Sequence, residues 1–494
     1  MTALDILLAA EAFVVGDAQR RATVCHRHLD DSPMVIVGYR LAGEAGAPLG
    51  IMYGTAPEDP RLVVAPEPRN RDMRFRDVLD PLARDIVAWL ENFAERDADG
   101  QCLECPQILV PNRGTHEFVR GLLGRSLRYL RSTPEFAVAD ETVLLGAHAT
   151  WFAQQSELPG SSVLLAATDL LRRHWATGQS SLEDEDLHAL LAWVDPAEGL
   201  NGREAAAKAE AGRASGEIPA AGPTPDASWD RDVLGPLVDE FNEHRGGDAS
   251  PKVVSTAGAS IRGAVEAALT ASWTATWRAH ALLCGLVPGA SVADRWGSDR
   301  RAWTSHLTRV EAGRAFFRTR DSARQSAWMI KSREDAQQAL DLGEALDDPL
   351  VLAGLVAGGE AFDGEIREID SDNMEMGPSG RRRVRRPLIT VDLPDPCPLV
   401  PGTKVRWTDR MQLACELVGI EDNAVVLKVI AGMQGQLPIP GATAAFITLD
   451  DQSYPMPSTL PGIPWTHEGA DVPEPDSEVP ERPHGSVTRL RPKP

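Results

Sequence analysis

The stretch Pro401–Ile430, PGTKVRWTDRMQLACELVGIEDNAVVLKVI, alternates apolar and polar residues with a period of two. That period is the signature of half-buried strands. Lys404–Trp407, Gln412–Ile420 and Ala424–Ile430 are predicted strands, and Asp422-Asn423 supplies a turn between the last two. Three neighbouring runs share the pattern: Phe362–Ile369, Pro387–Leu393 and Ala444–Leu449. Six short strands within 359–450 predict a small antiparallel β-barrel or sandwich. Gly364–Glu375 and Glu416–Leu427 resemble each other, each reading as a strand, an acidic turn with Asn, and a second strand.

Outward from the barrel the period changes. Residues 229–358 follow helical spacing, and Arg301–Ala345 has no Pro and only two glycines, Gly313 and Gly343, so one long helix or a tight pair is expected. Asp347-Asp348-Pro349 breaks it. Residues 196–228 are rich in Ala, Gly, Pro and Glu and are read as a flexible linker. Residues 1–195 read as mixed α/β and then helical. Met34–Leu41, Pro48–Tyr53, Arg61–Ala65 and Gln107–Pro111 are strands by pattern; Phe75–Arg96, Gly114–Leu130 and Val163–Trp175 are helices. The Pro-rich, polar residues 451–494 are read as a disordered tail. The expected fold class is therefore α+β and multi-domain: an N-terminal mixed α/β region, a central helical region and a C-terminal small antiparallel β-barrel.

Composition bounds the function. The 494 residues carry a formal net charge of −22, which argues against a chain that coats nucleic acid with its whole surface. No run reaches the length of a membrane span, the N-terminus lacks the basic start of a signal peptide, and six scattered cysteines make no disulfide framework. These point to a cytoplasmic protein without membrane contact. Arg far outnumbers Lys among the 50 basic residues, a skew that reads first as the coding bias of a high-GC bacterial genome. None of the six lysines follows a glycine, which excludes a standard P-loop. The short signatures of zincins, α/β-hydrolases and Rossmann oxidoreductases are likewise missing.

Four constellations are candidates for chemistry. Cys25 and His28 with Cys102 and Cys105 have the donor types of a zinc site, the C-x-x-C supplying two ligands on one turn, and His26 is an alternative to His28. Residues 294–335 hold ten Arg/Lys against six Asp/Glu, with Trp296, Trp303, Phe316, Phe317 and Trp328 interleaved. On a continuous helix Arg309, Arg320, Arg324 and Lys331 fall within about 60° of one another. Arginines neutralise phosphates and aromatics stack on unpaired bases, although a packed core with snorkelling arginines gives the same pattern. Arg381, Arg382, Arg383, Arg385 and Arg386, followed by Lys404, Arg406 and Arg410, form a basic loop beside the predicted barrel, suited to a nucleic-acid backbone. The acidic groups Glu183–Asp186 and Asp370, Asp372, Glu375 have the donors of a Mg²⁺ site, but read better as a helix cap and a hairpin turn.

The order of helices (Arg301–Ala345) and then a small barrel with a basic loop (Val400–Trp407 through Glu416–Val429) resembles the stalk and accessory barrel of superfamily 1B helicases. The resemblance covers about 150 residues and carries no motor motif. It implies a non-enzymatic accessory protein that contacts nucleic acid beside a separately encoded ATPase motor, as in helicase-linked bacterial defence systems. The alternatives are a protein-interaction scaffold and a metal-dependent hydrolase or nuclease using the acidic groups.

Overall fold

In the computed structural model, residues 3–44, 46–133, 136–315, 322–376 and 382–450 are described. The expected tail, 451–494, lies outside them. The fold is mixed α/β at the N-terminus, helical in the centre, and closed by a six-stranded antiparallel barrel.

After helix α1 (Ala3–Val15) come strands β1 (Met34–Arg40), β2 (Pro48–Gly54) and β3 (Arg61–Val64), then helix α2 (Asp80–Glu91). Strand β4 (Ile108–Val110), helices α3 (Arg113–Phe118) and α4 (Asp140–Gln155), strand β5 (Leu164–Ala166) and helix α5 (Ala167–His174) follow. The five strands form one sheet in the order β3-β2-β1-β4-β5, with an antiparallel β1–β3 meander extended by β4 and β5 running parallel to β1. The run from Val163 to Trp175, read as helix throughout, begins as β5. A strand buried on both faces shows no alternation to set it apart from a helix start.

Both faces of the sheet are covered. Ile36, Ile108 and Leu164 point into one core with Phe118, Phe152 and Trp303. Val35, Val37, Leu109 and Leu165 point into the other, with Ile261, Val265 and Trp273. The second set comes from helix α8 (Pro251–Cys284), and Trp303 from helix α9 (Val292–Glu311). The helices of 229–311 therefore roof the N-terminal sheet, and the expected boundary between 1–195 and 229–358 does not separate two cores.

The segment expected to be a flexible linker is also structured. Helix α6 (Leu187–Val194) is followed by α7 (Gly202–Ser215), which Asn201 and Glu204 start with a capping box and Gly216, at φ 78°, ends. Ala205, Ala206 and Ala209 are buried and Gly202 lies against Trp193. Small residues here serve close helix packing, which composition alone does not distinguish from a linker.

Of the one long helix or pair expected over Arg301–Ala345, two helices are found, α9 and α10 (Ala323–Asp347). Gly313, at φ 65°, ends the first: Arg314 N–H reaches back to Arg309 C=O at 2.7 Å. Ser322 caps the second by accepting Gln325 N–H. Helix α11 (Pro349–Gly358) leads into the barrel, capped by Asp348, whose carboxylate also takes the N–H of Thr23 at 2.7 Å and its hydroxyl at 3.0 Å. No helix among the described residues is long and apolar enough to cross a membrane.

The barrel uses all six predicted strands: β6 (Ala361–Asp370), β9 (Leu388–Asp392), β10 (Lys404–Trp407), β11 (Arg410–Glu421), β12 (Ala424–Ala431) and β13 (Thr443–Ile447). A separate two-stranded ribbon, β7 (Met374–Met376) with β8 (Arg383–Arg385), stands between β6 and β9. The barrel closes in the order β9-β12-β11-β10-β13-β6. Its alternate residues, among them Ile366, Val391, Leu417, Leu427 and Phe446, fill the interior. Both segments noted as similar form strand–turn–strand units, and Asp422 takes φ 51° at the second turn.

A Cβ at Gly50 would lie 2.6 Å from Val265 Cγ1 and 3.3 Å from Val63 C=O. Gly50→Ala is therefore expected to destabilise by about 1–3 kcal/mol, read as a lower thermal midpoint than wild type. In the first core His148 Nδ1 lies 3.0 Å from His306 Nε2 against Trp151 and Trp303, and burial holds His148 down to about 4 and His306 well below its usual value. The unfolded chain protonates these imidazoles near the ordinary value of about 6.5. Their stabilising contribution is thus complete above that pH and is lost as pH falls toward 4. Urea midpoints measured across this window should drop, and His148→Phe should flatten the drop.

Candidate nucleic-acid interface

The basic residues assigned from sequence divide into three environments. On the helices, Arg309 is exposed near the end of α9 and Arg324 near the start of α10, so they share no continuous helix face. Arg320 lies outside the described residues, and Lys331 is bound by Asp335 one turn on. The expected four-residue stripe on one helix is therefore not formed, because Gly313 ends α9 before it. The interleaved aromatics largely belong to packing. Trp303 is fully buried with its indole N–H on Phe93 C=O at 2.9 Å, and Trp296 stacks on His28 with centroids 4.0 Å apart. Trp328 is exposed on α10, and Phe316 and Phe317 lie outside the described residues.

On the ribbon the arrangement is different. Met374 pairs with Arg385, and Met376 with Arg383, so these four side chains share one face, while Glu375 and Val384 share the other. Met374 and Met376 are exposed. The guanidinium groups bond backbone carbonyls: Arg383 to Met374 at 2.9 Å, Arg385 to Ser371 at 2.6 Å, and Arg386 to Ile430 at 2.6 Å. None of the three makes an ion pair among the described residues. Glu375, which pairs with Val384 across the ribbon, is taken by Lys428 from the barrel at 3.4 Å. Arg382 is exposed beside them, and Arg381 lies outside the described residues. Arg406 on β10 donates to Met411 C=O at 2.7 Å, and Arg410 donates to the carbonyls of Gly432 and Gln436. Carbonyl bonds fix an arginine in place without cancelling its charge. The ribbon therefore presents a cationic, thioether-lined face on a chain of net charge −22.

The proposed zinc ligands are not brought together. Cys25 pairs by its backbone with Val287 and Gly289, and its thiol donates to Arg27 C=O at 3.3 Å. His28 lies on Trp296. Cys102 and Cys105 are buried in the first core, Cys102 N–H bonding Thr304 Oγ1 at 3.0 Å, and burial raises the Cys105 thiol well above its usual range. Among the described residues no group of three or more His, Cys, Asp or Glu is placed to hold a metal ion. The acidic clusters take the structural roles expected of them. Asp186 caps α6, Glu183 accepts Ser180 N–H, and Asp370 accepts Asp372 N–H in the turn after β6.

Comparison of the chain with protein-family profiles, with curated proteins and with solved structures finds no match.

A second feature has no counterpart in the sequence reading. A cleft of about 920 Å³ opens where β5 ends and α5 begins, walled by α3, α5, α10, α11 and α1. His26 and Arg27 stand at it with Arg172 and Arg173 of α5 and Glu344 of α10. His174, behind them, accepts His26 N–H on Nε2 at 3.3 Å, while its Nδ1 lies 2.7 Å from Leu170 C=O. That assigns the Nδ1–H tautomer, and burial holds its pKa down to about 4. The dipeptides His26-Arg27 and Arg172-Arg173 are plain in the sequence, but nothing in their spacing joins positions so far apart along the chain.

Proposed function

We propose that this chain is a non-enzymatic protein that contacts the nucleic-acid backbone through the β7–β8 ribbon and the adjoining barrel strands. One observation carries the reading: Arg383, Arg385 and Arg386 are held by backbone carbonyls, on an exposed ribbon, with no carboxylate ion-paired to them among the described residues. A two-stranded antiparallel ribbon is an element the major groove of a duplex admits, and such positioned guanidinium groups suit phosphate oxygens. The net charge of −22 disfavours contact over the surface at large, so the reading rests on local basic sites. The resemblance to helicase accessory barrels adds a protein partner carrying the motor to the same reading. Arg309, Arg324 and Arg382, all exposed, are secondary contacts in it.

A scaffold role is the second reading, favoured by one feature. Helix α1 exposes Ile6, Leu7, Phe13, Val14 and Val15, more apolar surface than scattered surface residues present.

The test is a titration of the full-length chain into labelled single- and double-stranded oligonucleotides at two salt concentrations. Binding is expected to weaken steeply with salt. The double substitution Arg383→Glu/Arg385→Glu is expected to weaken it at least about tenfold and to reduce the salt slope by about one for each phosphate that is no longer neutralised. Absence of binding at low salt, or indifference to the double substitution, would overturn the ribbon assignment and leave the scaffold reading in front.

A further inference from the structure

The cleft beside β5 lies on the carboxyl side of two parallel strands, β4 and β5, where open α/β sheets receive their ligands. Its volume, about 920 Å³, is that of a small-molecule site. Its charges are the informative part. The Arg27 side chain is 13% exposed, and its one hydrogen bond among the described residues runs from Nη1 to His26 C=O at 3.3 Å. The carboxylate that faces it, Glu344, lies 3.9 Å away and is already bound by Arg173. A third guanidinium, Arg295, closes the back of the group, donating to Ser291 Oγ and to His26 C=O at 3.0 Å. Burial, and then the Arg173 charge, bring Arg27 down to about 10. A guanidinium displaced that far from its ordinary value lacks sufficient compensating charge.

Of the other carboxylates lining the cleft, Asp5 faces Arg21 at 3.8 Å, and Glu185 makes no ion pair with Arg27 or Arg173 among the described residues. Glu157 is taken by Arg333 and Arg120, and Asp169 faces Arg113 at 3.4 Å. Arg172 lines the cleft with no side-chain partner among the described residues. His26 adds a fully buried ring whose two nitrogens make no aligned hydrogen bond, Nε2 standing 3.2 Å from Asp348 Oδ2. The His26 ring is thus occupied by Asp348, and it is the underused guanidinium donors of the cleft that suit an anion entering from outside.

We propose that this cleft binds a small phosphorylated molecule, with Arg27 and Arg173 receiving its phosphate at the inner end and Arg172 contacting it from the wall. Three guanidinium groups, Arg27, Arg172 and Arg173, have Glu344 as their one ion-pair partner among the described residues, and the two charges left over match a phosphate monoester, which carries close to two at neutral pH. The guanidinium fork matches phosphate oxygens two at a time. The apolar side chains of Leu340, Leu350 and Leu355 along the cleft fit the uncharged remainder of such a molecule. This site is separate from the ribbon and does not depend on it.

The experiment uses the full-length chain with inorganic pyrophosphate and adenosine 5′-monophosphate as probes, followed by calorimetry and by thermal shift, with sodium sulfate at matched ionic strength as the control. At least one probe is expected to bind saturably at one site per chain and to raise the thermal midpoint beyond the sulfate control. Arg172→Gln, at the half-exposed wall, should weaken that binding about tenfold. Arg27→Lys, which keeps the charge and loses the fork, should weaken it further in a chain whose circular dichroism is unchanged. Arg383→Glu/Arg385→Glu should leave it intact, so that failure of the ribbon reading and failure of this one are distinguishable. A 5′-phosphorylated oligonucleotide is expected not to displace the probe; displacement by it, and not by its dephosphorylated form, would overturn the small-molecule assignment in favour of a nucleic-acid end. The proposal also falls if neither probe exceeds sulfate, or if both cleft variants bind as wild type does.

Discussion

A five-stranded sheet with apolar residues on both faces cannot be left half-covered, and that constraint organises most of this chain. Val35 and Val37 face one way along β1 and Ile36 the other. Each face therefore needs its own layer of helix. The N-terminal region supplies α2, α3 and α4 to one side; much of the other is covered by α8, which starts at Pro251, far along the chain from the end of β5 at Ala166. Gly50 has no side chain because Val265 of α8 occupies that space. The intervening residues 196–228 must then follow a defined path from sheet to roof, which explains why a segment of linker composition forms the capped, packed helix α7.

The same closure buries polar groups that have to be satisfied internally. Asp299 on α9 is 2% exposed, and its carboxylate accepts from Gln155, Ser161 and the backbone of Ser162. It thereby fixes the loop that leads into β5. Asp348 has the same role at the other end of the helical region, joining the start of α11 to Thr23 and Val24. These two carboxylates register the helices against the N-terminal loops that form the cleft. Arg27 and Arg295 are drawn to one place by that registration, and their mutual repulsion follows from it rather than from any local sequence preference.

The legibility of the fold follows from where the information resides. The barrel was readable strand by strand because each strand keeps one face inside and one outside, so the period of two is written in consecutive residues. β5 was not readable, since Leu164, Leu165 and Ala166 are all buried and a three-residue apolar run has no period. The division of α9 from α10 was present in the sequence as Gly313 and Ser322, a stop and a start signal close together. Of the ribbon, the start of β7 was legible as the strand after an acidic turn and β8 only as a run of arginines: its face, with Met374 and Met376 beside Arg383 and Arg385, depends on a pairing register that neither stretch encodes. The cleft was illegible for a stronger reason, because its groups come from positions 26–27, 172–173 and 344, and only the folded sheet brings them together.

Arginine in this chain is therefore several residues in one. On the surface, Arg76 beside Asp77 and Arg231 beside Asp232 are ion pairs between neighbours, exposed and worth little to stability. Arg213, between Asp186 and Asp226, clamps α7 and the chain after it to α6. On the ribbon, carbonyl oxygens hold the guanidinium planes and leave their charge uncancelled; in the cleft, burial makes such a charge costly until an anion meets it. Counting basic residues along the sequence weighs all of these alike. What separates a structural arginine from one poised for a ligand is the identity of its acceptors: a carboxylate cancels the charge, whereas a backbone carbonyl orients the group and leaves its attraction for phosphate in place. By that criterion Arg383, Arg385 and Arg386 on the ribbon stand apart from the paired arginines, and Arg27 in the cleft, which shares its one carboxylate at 3.9 Å with Arg173, lies between the two.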